Sequence, residues 1–282
     1  MGYVQDRPTP EALSLFYPPE FYAQNHSHSG EQKKLDHKLN FLERFLVDKK
    51  SLRRRRSGLR LLDVGCAGGE FVAYTAQRGW DAYGYEWSQT PPNHYNSPVI
   101  HAPTLQNIFE GSSFDAITAW AVLEHAYNLR ELTAEISRLL KPGGLFVALV
   151  TNFNSIPGRY MQHDDIPRHL NLFTRRSLTR LLKENHLTPQ SWSYGNAIFN
   201  GSHRGFLVFL LKRLAGESLE SIVEQHRAPG KRQEFCTMLR GRPSRLADWV
   251  CRFDRALFAP VMDALAASTG FGFTMTVTAV KK

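Results

Sequence analysis

The sequence predicts an α/β protein built on a doubly wound, mostly parallel sheet. Three observations predict it. Short apolar runs of strand length alternate with helical patterns from residue 59 to residue 151. Several of those runs are apolar throughout, as strands are when helices cover both faces of a parallel sheet. One of them, LRLLDV, runs straight into GCAGGEF, an acid followed by a turn with almost no side chains.

Residues 1–30 are irregular, rich in proline, aromatics and histidine. Leu35, Leu39, Leu42 and Phe45 recur at helical spacing and predict a helix over 31–50. Arg53 to Arg56 form a basic run, the pattern of a solvated linker. A buried strand follows at 59–64, then a helix over 69–78 that ends near Gly79. DAYGYEWS at 81–88 is a second strand and SPVIHA at 97–102 a third. Residues 113–126 predict a strand that turns into a helix. An amphipathic helix over 129–140 is closed by KPGG, and LFVALVT at 145–151 is a fifth strand. After a polar loop, Thr174 is placed to cap a helix whose Leu178, Leu181 and Leu182 share one face. TPQSWSYG at 188–195 predicts a strand, and FGFTMTVTAVKK alternates like an edge strand. The organisation expected is an arm and helix over 1–58, a core over 59–195, a helical insertion over 196–270 and a last core strand over 271–282.

Composition narrows the class. Hydrophobic residues make up 42% of the 282, enough for a full core. The net charge of +9 suits an anionic partner without choosing among phosphate, nucleic acid and lipid surface. Cys66, Cys236 and Cys251 are scattered, with neither metal spacing nor a disulfide framework. The first residues lack a secretory pattern, Asp6 stands where a myristoylation motif needs Ser or Thr, and no apolar run nears bilayer length. A cytoplasmic location is the expectation.

The glycine turn points to a ligand. Small residues let backbone approach a bound group, and the following helix start offers free N–H groups. The order Gly65, Cys66, Ala67, Gly68, Gly69 does not fit the nicotinamide-dinucleotide pattern. Glu86 ends the next strand 17 residues after Gly69, where a carboxylate can accept both hydroxyl hydrogens of a ribose.

These residues resemble the class I S-adenosylmethionine-dependent methyltransferases. LLDVGCAGGEF is similar to their first motif, with Asp63, Gly65 and Gly69 matching and Ala67 replacing the middle glycine. GYEWS resembles the second motif. FDAITAWAVLEHAYN, LKPGGLFVALVTN and RHLNLFTRRSLTRLLKENHL resemble, in order, segments of the subgroup related to ubiquinone-biosynthesis O-methyltransferases and to polysaccharide and natural-product enzymes. The resemblance covers residues 59–190. It implies a Rossmann-like seven-stranded sheet with an antiparallel last strand.

It also implies a site. S-adenosylmethionine, leaving as S-adenosylhomocysteine, would lie across the ends of the first, second and fourth strands. Asp63, Gly65, Cys66, Ala67 and Gly69 would face its methionine part, and Glu86 its ribose. Thr104 and Leu105 would lie near the adenine, where many relatives place an acid and this chain has none, and Trp87 and Trp120 would be further cofactor contacts. Tyr22, with Tyr17, would close over the cofactor from the arm. His169, His163 and His125 are the candidate general bases, His163 with Asp164 or Asp165 beside it. Some relatives bind a divalent metal through Glu-x-x-Glu-His at 121–125. Ala121 removes one ligand here, and no metal is expected. Asn196 and Asn200 would line the acceptor pocket under a helical lid.

The acceptor expected is a small molecule, with an oxygen of a sugar, lipid-linked intermediate or specialised metabolite as the atom methylated. Nucleic acid is disfavoured because no RNA-binding module is appended. A methyltransferase acting on RNA and a non-catalytic cofactor-binding scaffold are the rival readings. The insertion could also support peripheral membrane contact or a homodimer.

Overall fold

The computed structural model describes residues 2–3, 7–9, 12, 28–46, 58–88, 95–155, 158–159, 168–195, 198, 205–218, 221–222 and 245–282. Tyr17, Tyr22, Arg53 to Arg56, His163 to Asp165, Asn196, Asn200 and Cys236 lie outside the described residues.

A short strand β1 (Gly2–Tyr3) is followed by helix α1 (His28–Phe45). Then come β2 (Arg60–Val64), α2 (Glu70–Ala76), β3 (Asp81–Glu86), β4 (Val99–His101) and β5 (Phe114–Trp120). Helix α3 (Leu129–Leu139), β6 (Leu140–Thr151), β7 (Asn171–Leu172), α4 (Arg175–Glu184) and β8 (Leu187–Ser193) follow. The chain ends with α5 (Phe206–Leu214), α6 (Arg245–Phe253), a π-turn over Asp254–Phe258, α7 (Ala259–Thr269) and β9 (Thr274–Lys281).

Seven strands form one sheet in the order β4-β3-β2-β5-β6-β9-β8. The strands β2 to β6 are parallel, and β9 runs antiparallel to its neighbours. The first core strand, β2, lies between β3 and β5, so the strand order reverses there. Ligands of open α/β sheets bind at the C-terminal strand ends beside such a reversal. The two faces are filled by the strands' own apolar runs: Leu61, Leu62, Ile117, Phe146 and Leu149 are all fully buried. The short β1 pairs with β7, bringing the start of the chain onto the segment before α4.

Three expectations are corrected. Residues 121–128 form turns rather than a helix. Ala121 adopts a left-handed φ of 58°, and the Asn171 amide takes the carbonyls of Leu123 and Ala126, which helical hydrogen bonding would need. KPGG stops α3 as expected but is also the first, bulged part of β6, because Leu140 pairs with Phe114 while Leu145 pairs with Ala116. And β9 is not an edge strand. It sits between β6 and β8 with Thr274, Thr276 and Thr278 as buried as Met275, Val277 and Ala279. Threonine alternating with apolar residues mimics a solvated face, yet its methyl group packs well between strands.

The chain divides into two compact units, residues 1–150 with 167–192 and 276–282, and residues 151–166 with 193–275. In the second unit, Phe206, Val208, Phe209 and Ile222 make a small core with Val250, Cys251, Phe258 and Met262 packed on it. The π-turn has a clear task there. It carries the fully buried Asp254 to the start of α5, where the carboxylate accepts the N–H groups of Gly205 at 2.6 Å and Leu207 at 3.1 Å. An acid placed on orphan amides is the favoured helix cap. Among the described residues no helix is long and apolar enough to cross a membrane.

Candidate functional site

The site is built on the end of β2. Parallel pairing sets Asp63 beside Gly84 of β3 and Thr118 of β5. That register lets the Thr118 hydroxyl donate to Asp63 Oδ1 at 2.6 Å. The carboxylate is 3% exposed. Burial pushes its pKa up to about 6, against the pull of Lys38 and the Thr118 hydrogen bond.

Lys38 is the residue that sequence reasoning missed. It lies on α1, and its ammonium sits 5.3 Å from the Phe71 ring centre and 5.5 Å from that of Trp120. Desolvation lowers its pKa while the charges of Asp63 and Glu70 raise it. The signal was present: Lys38 interrupts the buried face set by Leu35, Leu39 and Leu42.

The glycine turn closes tightly. Gly65 and Cys66 both donate to the Tyr85 carbonyl, at 2.7 and 3.2 Å, so the turn is tied to the end of β3. Gly69 starts α2 with φ 79°, and a Cβ there would collide with the Ser97 side chain. A side chain at Gly65, φ 68°, would meet Val122 at 2.5 Å. Ala67 also takes a positive φ, 48°, the conformation that explains why relatives place glycine there. Cys66 is buried and packs toward Gly84, and desolvation raises its thiol pKa, so it remains a thiol.

Glu86 lies at the end of β3, 4% exposed. Its Oε2 accepts the Ala67 N–H and its Oε1 the Ser88 N–H, each at 3.0 Å. The acid therefore knits the glycine turn to the second strand. Burial raises its pKa, and the amide bonds oppose that rise. A carboxylate has about four acceptor positions, so two amide bonds leave room for a diol.

The remaining cofactor-side residues flank this frame. Trp120 ends β5, packs edge-on against Phe71 with ring centres 5.9 Å apart, and keeps a buried Nε1 with no hydrogen-bond partner among the described residues. Leu105 is buried, Thr104 is exposed and caps the Gln106 N–H, and Trp87 is half-buried.

Two of the three candidate histidines meet. The His125 and His169 rings pack edge to face at 4.6 Å. Although far apart in sequence, they are joined because the Asn171 N–H donates to the Glu124 carbonyl. His125 Nδ1 lies 3.1 Å from the Arg168 carbonyl, which fixes it as the donor nitrogen. Burial, with His169 close by, pushes the His125 pKa down to about 3, so it is neutral and weakly basic at pH 7. Glu124 is fully buried beside them, and one ligand atom from each of Glu124, His125 and His169 falls within 4.8 Å of the others. Three such groups could hold a divalent ion. The sequence pattern, which looked for the third ligand at position 121, does not reveal that set.

The comparisons with known proteins agree with this geometry. Residues 30–191 match the family model described as a methyltransferase domain. A ubiquinone biosynthesis O-methyltransferase of Roseobacter denitrificans is 31% identical over 111 residues, covering 34% of this chain and 43% of that protein. A 24-methylenesterol C-methyltransferase 2 of Oryza sativa is 31% identical over 109 residues, covering 34% of this chain and 30% of that protein. The chain spans under half the length of these curated relatives. Phosphoethanolamine N-methyltransferase 2 of Haemonchus contortus, solved with phosphomonomethylethanolamine and S-adenosylhomocysteine, shares the fold at a TM-score of 0.50. Its identity is 17%, over 87% of this chain and 52% of that one. A family match across more than half of the chain, on an acid-and-glycine turn at the sheet's reversal point, places the protein among the class I S-adenosylmethionine-dependent methyltransferases of the methyltransferase-domain family.

Proposed function

We propose that the chain transfers a methyl group from S-adenosylmethionine to an oxygen of a small-molecule acceptor. The observation that carries the reading is the frame of Asp63, the Gly65–Gly69 turn and Glu86, closed by two backbone N–H hydrogen bonds to Glu86 at the point where the sheet order reverses. The relatives' names, an O-methyltransferase of ubiquinone biosynthesis and a sterol C-methyltransferase, support an acceptor of low molecular weight.

The residues fit the cofactor. The turn has no side chain where a Cβ would collide, Glu86 keeps free acceptor positions, and Trp120 Nε1 is an unused buried donor. When bound, S-adenosylmethionine supplies an electrophilic methyl group on a sulfonium. Asp63 and Lys38 hold its amino-acid end, carboxylate against ammonium and ammonium against carboxylate. Glu86 accepts the ribose hydroxyls. Leu105, Trp120 and Trp87 give the base an apolar wall, with Thr104 at its rim, and Tyr22 is kept as a further cofactor-binding candidate. Direct displacement needs no protein nucleophile, and alignment of donor and acceptor supplies much of the acceleration. The acceptor hydroxyl must lose a proton, and His169 is assigned that role. His125 is held neutral and weakly basic, which suits it to orient His169. His163 remains a second candidate. The insertion over 196–270 is assigned the role of acceptor cap.

Methyl-labelled S-adenosylmethionine tests this reading. It is incubated with the protein and with separate pools of nucleotide sugars, lipids, small metabolites and RNA, with Asp63→Ala as control. Label entering a small-molecule pool in the wild type alone is the expected result. Label in RNA alone overturns the acceptor class, a possibility that the net charge of +9 makes worth including. Cofactor binding with no transfer to any pool favours a scaffold.

A further inference from the structure

A second cleft of about 760 Å³ opens between the starts of α3 and α4, sharing with the residues assigned above only Asn171. It is lined by Arg7, Arg130, Arg176 and Arg180, with Glu131 and Glu184 among them. Two of the guanidinium groups are held in place. Arg7 donates to the Tyr127 carbonyl at 3.1 Å and to Asn171 Oδ1 at 3.3 Å, and Arg180 pairs with Glu184 at 2.7 Å. Arg130 and Arg176 are exposed and donate no hydrogen bond to any described residue.

Their position in the helices is electrostatically adverse. Arg130 lies in the first turn of α3 and Arg176 in the first turn of α4. Helix starts carry partial positive charge and favour anions, so cations there destabilise their own helices. The first turn of α4 contains no acid, though Thr174 and Ser177 cap it, and in α3 Glu131 stands beside Arg130 while the Asn128 side chain makes no capping hydrogen bond. Local rules are broken in this way where a ligand restores the balance. A dianion in the cleft would do so. It would meet the exposed guanidinium groups of Arg130, which also lies near Glu184, and Arg176, and the start of α3, where Asn128 makes no side-chain cap.

We propose that this cleft binds the phosphate or diphosphate group of an anionic ligand. Guanidinium forks match phosphate oxygens in bidentate fashion. The volume suits a phosphoryl group with a small body attached. Glu131 and Glu184 argue against a continuous polyanion such as RNA, whose strand would run across both carboxylates. The site does not depend on the methyl-transfer reading.

The test is calorimetric titration of inorganic diphosphate into the full chain at low salt. The wild type, Arg130→Gln, Arg176→Gln, the double variant and Lys282→Gln are compared. Co-sedimentation with phosphatidylcholine vesicles, with and without phosphatidylglycerol, forms a parallel arm. Each single substitution is expected to weaken diphosphate binding about tenfold and the pair about a hundredfold. Lys282→Gln should change little, and thermal unfolding of the arginine variants should not fall. Loss confined to phosphatidylglycerol vesicles would assign the same site to a lipid headgroup. Equal binding by wild type and double variant, or an equal loss in Lys282→Gln, would overturn the proposal.

Discussion

Asp63→Asn is expected to stabilise the protein at pH 8 while abolishing tight cofactor binding. In the unfolded chain this carboxyl titrates near its ordinary 3.8, and in the fold it holds its proton up to about 6. The native state therefore binds more protons between those values. Stability is highest below pH 3.8, falls as pH rises to about 6, and is flat above it. The full displacement corresponds to about 3 kcal/mol against the ionised fold at pH 8. Roughly half of that is already relieved at pH 5. Asparagine removes the charge and still accepts from Thr118. It also leaves half-buried Lys38 without its counter-charge, which takes back about 1–2 kcal/mol. The net gain is about 1 kcal/mol at pH 8, a rise in melting temperature of about 2–4 °C, and little or nothing at pH 5. Thermal unfolding of wild type and variant at the two pH values measures it, with calorimetric titration of S-adenosylmethionine alongside. A variant no more stable at pH 8, or one whose advantage is the same at pH 5, would refute the assignment of Asp63 as a carboxylate ionised against its environment for the sake of a cationic ligand. The wild type's affinity for the cofactor should also fall as pH drops through about 6, because only the ionised form attracts the ammonium.

Glu86→Ala should weaken cofactor binding more than tenfold and destabilise even the cofactor-free protein by about 1–3 kcal/mol, since two amide donors lose their acceptor. Fluorescence-detected unfolding separates that loss from the binding loss. Ala67→Gly relieves a left-handed alanine and should raise stability by up to about 1 kcal/mol, measured by urea titration. Asp254→Ala removes both acceptor bonds at the start of α5 and should destabilise the second unit by about 2 kcal/mol, seen as earlier proteolysis within 193–275. Treatment with a chelator should leave methyl transfer unchanged. A fall restored by added divalent ion would instead assign Glu124, His125 and His169 to a metal.

What the sequence could disclose depended on whether the causes were local. The glycine turn was legible because its residue types are forced by positive φ and close packing, and Asp63 and Glu86 because strand ends are marked by neighbouring apolar runs. The Thr174 cap was legible for the same reason: Ser177 completes the box three residues away. The turn at 121–128 was not, because its cause is the side chain of Asn171, more than forty residues downstream. Locally, AVLEHA is made largely of good helix formers. Only a tertiary amide competing for two carbonyls decides otherwise. The same residue, through its backbone N–H on the Glu124 carbonyl, also holds His169 beside His125, so the histidine pair and the lost helix share one anchor. Breaking it should move both together. Asn171→Ala frees the Leu123 and Ala126 carbonyls, and the prediction is a coupled loss. Stability should drop by about 2 kcal/mol. The transfer rate should fall with cofactor affinity nearly unchanged, because Asp63 and Glu86 lie on β2 and β3. If cofactor binding fell in step with the rate, the 121–128 turn would be part of the cofactor frame rather than the support of the histidine pair.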